Sequence, residues 1–359
     1  MPTPSLTAPE RTARTTRVDW VDAGRGAAIA LVVLHHAVGE MHDLALGTPA
    51  LDLASEVLRT LRMPLFFALA GTFAVRWAAP STPWRRLLGV KVLVLAWAYA
   101  LWAVLRSAWF AVVQPSPQES PPLDVLVQRL WLPEGGWFLF TLVLFLVAAR
   151  AAWRVPAWLV LAATAVLSAA AYAEWLRTDN PAWDGALRYA LFFALGLHTR
   201  GLLLGGAARV TRPRAALVLA GWVGLWFAVY GAGLQDVVGV RTGLRLVGVA
   251  AGVCLAVLLA RHVWLRRLGR CTLPVYVTHQ LLVLPALGYA ARTGLLDDRP
   301  AVAALLPLVV AAAVLAATWW FGEHAERLRV GWLFRPPVPL ARVASGRGER
   351  VSAGARSGS

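Results

Sequence analysis

Charged residues are scarce in this sequence, and their scarcity excludes most soluble folds. Only 15% of the 359 residues are charged, whereas 58% are hydrophobic and the mean hydropathy is +0.60. A soluble domain carries about 25% charged residues. The composition therefore predicts an integral membrane protein.

Lysine and cysteine are nearly absent. Lys91 is the single lysine among 35 basic residues, so arginine carries almost all of the positive charge. Together with the abundant alanine, this usage is a compositional indication of a GC-rich bacterial genome. Cys254 and Cys271 are the two cysteines, too few for a disulfide framework and without the clustered histidines of a metal site. We expect no metal.

Several catalytic and binding signatures are missing as well. The chain has no P-loop and no GxSxG elbow, which leaves an ATP-driven pump and a nucleophilic-serine enzyme without support. The formal charge of +16 does not indicate a nucleic-acid partner, because the arginines are dispersed between apolar runs rather than gathered in one basic domain.

Ten apolar runs are long enough, or nearly long enough, to cross a hydrocarbon core about 30 Å thick. They lie at about 26–44, 57–78, 87–113, 136–153, 155–174, 186–204, 214–233, 240–261, 271–291 and 301–322. The sequence therefore predicts an all-α fold, a polytopic transmembrane helical bundle of about ten spans. The first run is predicted to be retained rather than cleaved as a signal peptide, since two histidines interrupt its apolar core.

Basic and acidic residues alternate from one connection to the next. Most of the basic residues fall in the N-terminal segment, in every second connection and in the C-terminal region. Because basic loops stay in the cytoplasm, both termini are predicted to be cytoplasmic. We divide the chain into a basic N-terminal segment (1–24), a transmembrane domain (25–325) and a basic tail (326–359), which is expected to be disordered and to lie near membrane lipids.

The stretch from Arg17 to Met41 places titratable residues inside the first apolar run. It reads RVDWVDAGRGAAIALVVLHHAVGEM. A helix turns by about 100° and rises by about 1.5 Å per residue, so Arg25 and His36 lie within about 20° of one face and about 16 Å apart along the axis. His36 then falls near the middle of the bilayer, where a titratable group is costly unless it faces a cavity or a partner. A satisfied interior histidine is the alternative.

The ninth span carries another histidine at a matching depth. It begins RRLGRCTLPVYVTHQLLVLP, and His279 lies nine residues beyond Arg270, about 13 Å into the span. Since this span enters from the same side as the first, His279 and His36 are predicted to reach similar depths. Tyr276 shares a helix face with His279. A catalytic role and a packing role both remain open for His279.

Basic residues near the ends of the spans have two interpretations each. Arg85, Arg86 and Lys91 enter the third span, where they either anchor it in the cytoplasm or bind the phosphates of an anionic donor. Arginines at the other ends either snorkel to the interface or bind an anionic acceptor: Arg59, Arg62, Arg188, Arg241 and Arg245.

Four further residues are candidates for substrate contact. Glu40 lies one turn beyond His36 and either orients it or marks the outer end of the span. Phe66 and Phe67 either pack against a neighbouring helix or contact the substrate. Gly71, on the same span, allows two helices to approach closely. Trp137 fits an interfacial aromatic belt as well as a site.

At these residues the chain resembles the acyltransferase-3 family of integral membrane O-acyltransferases over approximately 17 to 325. The resemblance rests on DAGRGAAIALVVLHHA, FFALAG, GGWFLFTLVLF and LGRCTLPVYVTHQLLV, in that order. The arginine-to-histidine spacing of the family maps onto Arg25 and His36. Its aromatic pair maps onto Phe66 and Phe67, with Ala70 where serine is commoner.

The resemblance implies acyl transfer from cytosolic acyl-CoA, a co-substrate rather than a permanently bound cofactor. The acceptor would be a hydroxyl of a glycan, a lipid or a small molecule at a bacterial inner membrane. By this resemblance Arg25 and His36 are the expected catalytic residues, with His36 taking the proton of the acceptor hydroxyl and Arg25 steering the donor or stabilising negative charge. Arg85, Arg86 and Lys91, a loose match to the family's paired basic residues, are the candidate donor contacts. From its depth His279 is a further catalytic candidate, and the candidate acceptor contacts are Tyr276, Glu40, Phe66, Phe67 and Trp137. A transporter of a polar or anionic metabolite and an inactive membrane scaffold are the alternatives. No repeat relating two halves of the chain, a common mark of transporters, is visible in the sequence.

Overall fold

The computed structural model describes residues 8–113, 136–294, 296 and 299–337, and these ranges form helices joined by short connections. No strand occurs within them, so the all-α prediction is confirmed. The helices are α1 (Ala8–Asp43), α2 (Pro49–Ala78), α3 (Trp84–Val113), α4 (Trp137–Ala151), α5 (Ala157–Tyr172), α6 (Pro181–His198), α7 (Arg200–Ala208), α8 (Arg212–Gly231), α9 (Val240–Leu259), α10 (Val263–Arg270), α11 (Thr272–Arg292) and α12 (Pro300–His324).

Eight helices in the described ranges are long and apolar enough to cross a membrane. They are α1 (from Asp19), α2, α3, α4 with the turn that follows it, α8, α9, α11 and α12. The pair α6 and α7 makes a ninth span if it is counted as one, with a bend of 74° between its halves. α5 has 16 residues and reaches only about 24 Å. The structure thus supports eight or nine spans where the sequence predicts about ten. The run at 155–174 accounts for the difference from nine, and the bent pair at the run 186–204 accounts for the difference between nine and eight.

α1 lies at the centre of the bundle. It packs against α2, α9, α10, α11 and α12. Its apolar residues on several faces are buried, among them Ile29 and Val33, which have no exposed surface. A helix that is surrounded on most sides holds its side chains in defined positions. The stretch that carries Arg25 and His36 is therefore the element around which the other helices are arranged.

α2 and α6 cross at a pair of glycines. A Cβ atom placed on Gly71 would overlap the carbonyl oxygen of Phe193, and a Cβ atom on Gly196 would overlap the carbonyl oxygen of Ala68. Small residues allow this close backbone approach between membrane helices. The close approach predicted at Gly71 is confirmed.

α3 contains a π-helical segment, Leu87–Val92, in which the backbone N–H of Leu93 donates to the carbonyl of Leu88, five residues earlier. Such wider turns are rare and often occur at functional sites. The segment includes Lys91, so the direction of its side chain does not follow the regular helical spacing from Arg85 and Arg86.

α11 is joined to α3 by a hydrogen bond at a proline. Pro285 lies inside α11 and removes the N–H that would donate to the carbonyl of Leu281. The indole Nε1–H of Trp109 donates to that carbonyl at 3.0 Å. Backbone polar groups within a bilayer must find partners inside the protein, so Trp109 replaces the donor that proline lacks.

Basic residues gather at one end of the bundle, where the membrane part of α1, α3 and α11 begin and α2 and α4 end. We call it the basic end. There, the guanidinium carbon of Arg150 lies 5.3 Å from the ring centroid of Trp84. Arg270 Nε on α10 donates to Asp22 Oδ2 on α1 at 2.9 Å. The first contact joins the end of α4 to the start of α3, and the second joins α10 to α1.

The segment that follows α12 packs against α3. Within the predicted tail 326–359, Gly331–Leu333 form a 3₁₀ turn. The carbonyl of Leu333 accepts from Nε1 of Trp102 at 2.9 Å, and the ring of Phe334 stacks on Trp102. The contacts of Leu333 and Phe334 with Trp102 thus attach this part of the predicted tail to α3, and the disorder of the tail stays a prediction. The rest of the predicted tail, 338–359, and residues 1–7 lie outside the described residues.

Candidate active site

α1 and α11 bring together the residues that the sequence placed at matching depths. The ring centroids of His36 and His279 lie 5.1 Å apart. Near the basic end, Arg25 Nη2 donates to Oγ1 of Thr272, the first residue of α11, at 3.0 Å. The two helices thus run side by side, with arginine at one level and the paired imidazoles at another. The predicted match in depth between His36 and His279 is confirmed.

The two histidines line a cavity of about 230 Å³. We call it the imidazole cavity. Its other polar residues are His35, Arg59, Arg62 and Gln280, and aromatic rings close it on the remaining sides: Phe66, Trp137, Phe138, Tyr189 and Tyr276. His279 is 1% exposed and Arg62 is 3% exposed. His279 and Arg62 therefore lie in an environment largely without bulk water.

His36 is held by a pair of residues that the sequence analysis missed. The Nε2 atom of Gln280 lies 3.1 Å from Nδ1 and 3.3 Å from Nε2 of His36. The guanidinium of Arg106 on α3 donates to Oε1 of the same Gln280, and its carbon lies 4.7 Å from the ring centroid of Phe110. Gln280 directly follows His279, and Arg106 interrupts an apolar run. Polar side chains within a span are default candidates for a functional site, so this signal was present in the sequence.

His35 contacts the same cavity from a different direction. One of its ring nitrogens, Nδ1, lies 2.9 Å from Oγ of Ser55 on α2, and its ring centroid is 5.4 Å from that of His36. Arg62 lies nearby and donates from Nη1 to the carbonyl of Leu31 at 3.4 Å. His35 therefore has a side-chain partner on α2, whereas His36 contacts residues of α11.

A second cavity, of about 350 Å³, lies toward the basic end. We call it the cation cavity. Arg25, Arg76 and Lys91 line it, and none of the three forms an ion pair with a carboxylate in the part of the chain that the structure describes. Most of the remaining lining is apolar and includes Leu69, Ala70, Phe73, Leu142 and Leu146. The volume falls within the range of about 300–1,000 Å³ typical of small-molecule sites.

The cation cavity includes one of the three predicted donor contacts and one residue that was not predicted. Lys91 lines it, but Arg85 and Arg86 are exposed and lie outside its lining. Arg76, at the end of α2, takes their place beside Arg25. The π-helical segment directs Lys91 into the cavity while the two arginines before it face outward.

Three aromatic residues border both cavities: Phe66, Phe138 and Tyr276. We call them the aromatic wall. The ring centroids of Phe66 and Phe138 lie 4.8 Å apart with the rings edge to face, and those of Phe138 and Tyr276 lie 5.5 Å apart. The backbone N–H of Phe138 donates to Oη of Tyr276 at 3.2 Å. The wall joins α2, α4 and α11 between the two cavities.

The remaining predicted substrate contacts divide into lining and packing residues. Phe66, Tyr276 and Trp137 line the imidazole cavity. Phe67 is fully buried and stacks on Tyr189 with a centroid distance of 5.1 Å, so its environment is that of a packing residue. Glu40 is 6% exposed and lines neither cavity.

Two ionisable groups flank the basic end outside the membrane spans. The hydrogen bond from Arg270 to Asp22 and the attraction between them raise the pKa of Arg270. Burial, reinforced by the charge of Glu323, raises the pKa of the Cys271 thiol to about 11. Arg270 thus stays charged and forms an ion pair with the carboxylate of Asp22. Asp22 lies three residues before Arg25 on α1.

The comparisons with known proteins agree with this geometry. The family model for acyltransferase 3, described as an acyltransferase domain, matches residues 18–321. No curated protein and no solved structure matches the chain. The matched range covers most of the chain and contains every residue of both cavities. The chain belongs to the acyltransferase-3 family, and it is a multi-pass membrane O-acyltransferase.

Proposed function

We propose that this protein transfers an acyl group, expected to be acetyl, from cytosolic acyl-CoA to a hydroxyl of a sugar, a glycolipid or a small-molecule acceptor. The observation that carries the proposal is the pair of cavities. Cations line one, imidazoles line the other, and the aromatic wall borders both. A donor and an acceptor entering from opposite ends of the bundle would meet at this wall.

The cation cavity is the proposed donor site. Acyl-CoA is polyanionic, and Arg25, Arg76 and Lys91 supply positive charge while forming no direct ion pair within the described residues. Charge-assisted hydrogen bonds to phosphate are among the strongest that a protein makes. The apolar lining around Ala70 suits the acyl chain and the thioester, and alanine there contributes no hydroxyl group.

The imidazole cavity is the proposed acceptor site. The acceptor hydroxyl oxygen attacks the thioester carbonyl carbon, an imidazole takes the hydroxyl proton, and the carbon–sulfur bond breaks. The coenzyme leaves as its thiol with that proton. His36, His279 and Arg25 are the proposed catalytic residues, with Arg25 steering the donor or stabilising negative charge. Trp137 and Tyr276 offer flat surfaces of the kind that sugar rings contact.

The basic end is proposed to face the cytosol of a bacterium, with the protein in its inner membrane and both termini inside. The arginine-rich connections support this orientation, and they meet at the basic end. The donor cavity then opens toward the compartment that contains acyl-CoA.

Labelled acetyl-CoA added to membranes that contain or lack the protein tests the proposal. We expect label to appear in a lipid or a glycan, and mass spectrometry of both fractions should find one acyl increment that depends on the protein. His36→Ala should abolish the transfer. The matched control is His42→Ala, since His42 lies on the same helix and its side chain is 69% exposed. Movement of a metabolite without acylation would instead support a transporter.

A further inference from the structure

We propose that the acceptor carries an anionic group, a carboxylate or a phosphate, close to the hydroxyl that is acylated, and that Arg62 binds this group. The inference rests on the proposed function and narrows the chemical class of its acceptor. An arginine near the end of a span either snorkels to the interface or binds an anion. For Arg62, the structure favours anion binding.

Arg62 lies deep in the bundle and forms few bonds to the protein. It is near the middle of α2 and 3% exposed, so it does not reach the interface as a snorkelling arginine does. A guanidinium has five N–H groups. Within the described residues, Arg62 forms one hydrogen bond, from Nη1 to the carbonyl of Leu31 at 3.4 Å, and no ion pair. A charged side chain at such a depth normally faces a partner or a polar cavity.

The imidazole cavity offers the space for a counter-ion. Arg59 and Arg62 line it, and no carboxylate among the described residues does. Arg59 already has a partner, because its Nη2 lies 2.7 Å from Oε2 of Glu56, and both side chains are nearly half exposed. Arg62 is thus left as the buried cation of the described lining without a counter-charge. A planar guanidinium binds a carboxylate or a phosphate through two parallel hydrogen bonds, so an anionic group of the acceptor fits this position.

The size of the cavity places the anionic group and the reacting hydroxyl on the same small unit. Its volume of about 230 Å³ is below the range of about 300–1,000 Å³ typical of ligand pockets. His36 and His279 line it together with Arg62, so a group bound to Arg62 keeps a neighbouring hydroxyl in the same enclosure as the imidazoles. We expect the acceptor unit to be a hydroxy acid, an acidic sugar or a phosphorylated polyol rather than a neutral sugar.

The acceptor unit can enter from the end opposite to the basic end. Trp137 and Tyr189 line the imidazole cavity and also a larger cavity of about 620 Å³ at the start of α6. Trp137 begins α4, whose other end is at the basic end, so the larger cavity lies on the far side of the bundle. Residues of both charges line it, for example Asp184 and Arg188. Among the described residues, positive charge without a carboxylate therefore distinguishes the imidazole cavity from its entrance.

Thermal unfolding tests anion binding without acyl transfer. The full chain in lipid nanodiscs would be heated with glycerate, glycerol 3-phosphate or glycerol, which share a three-carbon skeleton, at equal concentration and ionic strength. A ligand that binds the folded protein raises its melting temperature. We expect at least one of the two anions to stabilise the protein much more than glycerol does, and the comparison of the anions distinguishes a carboxylate from a phosphate. Equal shifts for all three probes, or no shift for either anion, would overturn the inference.

Variants show whether the anions bind at Arg62 or in the cation cavity. Loss of a hydrogen bond to a charged group in Arg62→Gln should raise the dissociation constant of the anion by about 10- to 150-fold, and Arg62→Lys should raise it less. Arg59→Gln is the matched control, one turn away on the same helix, and should raise it by only about 1.4- to 5-fold. Lys91→Gln should leave it unchanged. Stabilisation that persists in Arg62→Gln and disappears in Lys91→Gln would overturn the inference.

The natural product separates the inference from the proposed function. Tandem mass spectrometry of the acylated lipid or glycan should find the acyl increment and a carboxylate or phosphate on the same monomer unit. An acyl increment on a neutral unit would overturn the inference while leaving acyl transfer intact. The absence of any acyl increment would overturn the proposed function. The stabilisation by anions needs no acyl donor, so it would still decide whether Arg62 binds them.

Discussion

Neutralising Lys91 should weaken donor binding much more than neutralising either of its neighbours Arg85 and Arg86. Lys91 is partly buried and lines the cation cavity, whereas both arginines are exposed and lie outside it. If Lys91 bonds a phosphate, its hydrogen bond to a charged group contributes about 1.5–3 kcal/mol. At about 1.4 kcal/mol per factor of ten, Lys91→Gln should raise the KM for acyl-CoA by about 10- to 150-fold.

The other cations of this region define the expected order. Arg76 lines the cavity but is exposed, and an exposed charge pair contributes about 0.2–1 kcal/mol. Arg76→Gln should therefore raise KM by only about 1.4- to 5-fold. Arg85→Gln and Arg86→Gln remove the same charge from the same helix and should leave KM unchanged. They also control for any effect of lost positive charge on membrane orientation.

Steady-state kinetics of acetyl-CoA turnover in nanodiscs would measure this order, with Lys91→Arg expected to retain most of the binding. Each KM should also rise with ionic strength, because salt screens the exposed part of the attraction. The reasoning would be refuted if Arg85→Gln or Arg86→Gln raised KM as much as Lys91→Gln. An unchanged KM in Lys91→Gln would refute the donor assignment of the cation cavity.

Three further predictions concern packing and protonation. Trp109→Phe should destabilise the protein by about 1–3 kcal/mol, because the Leu281 carbonyl that Pro285 leaves without a backbone donor also loses the indole N–H. The loss should be smaller in a Pro285→Ala background, where the backbone N–H is restored. Thermal unfolding in nanodiscs would measure both losses, and equal values would contradict the replacement of one donor by the other. Gly71→Ala should cost about 1–3 kcal/mol through overpacking. Gly39→Ala, where a Cβ atom meets nothing within 4 Å, should not lower the melting temperature, because alanine favours a helix more than glycine does. An equal loss in both variants would remove the steric argument. The last prediction uses a variant that retains Cys271 as its single cysteine. Its rate of reaction with maleimide should rise about tenfold per pH unit up to about pH 10, because a pKa of about 11 keeps most of the thiol protonated in that range. A rate that levels off near pH 9 would indicate an ordinary thiol.

The central helix and the depth of its histidine follow from sequence spacing. Arg25 and His36 are separated by nearly an integral number of helical turns, and the same periodic argument places His279 at an equal depth on α11. Regular helices carry this information because their rise and rotation per residue are constant. The contact between His36 and His279 confirms what the spacing predicts.

The donor contacts and the support of His36 do not follow from spacing. The π-helical segment Leu87–Val92 breaks the regular rotation, so Arg85 and Arg86 face away from the cavity that Lys91 enters. Helical periodicity also does not specify which helices become neighbours. The contact of Arg106 with Gln280 joins α3 to α11, and it depends on packing between distant parts of the chain.

The aromatic wall has a consequence for what can pass between the two cavities. Among the described residues, Phe66, Phe138 and Tyr276 line both cavities, and the ring of Phe138 contacts the other two. Small inorganic ions lose far more hydration energy than an uncharged acyl group when they pass such a barrier. We therefore expect the wall to admit an acyl group more readily than it admits a small inorganic ion.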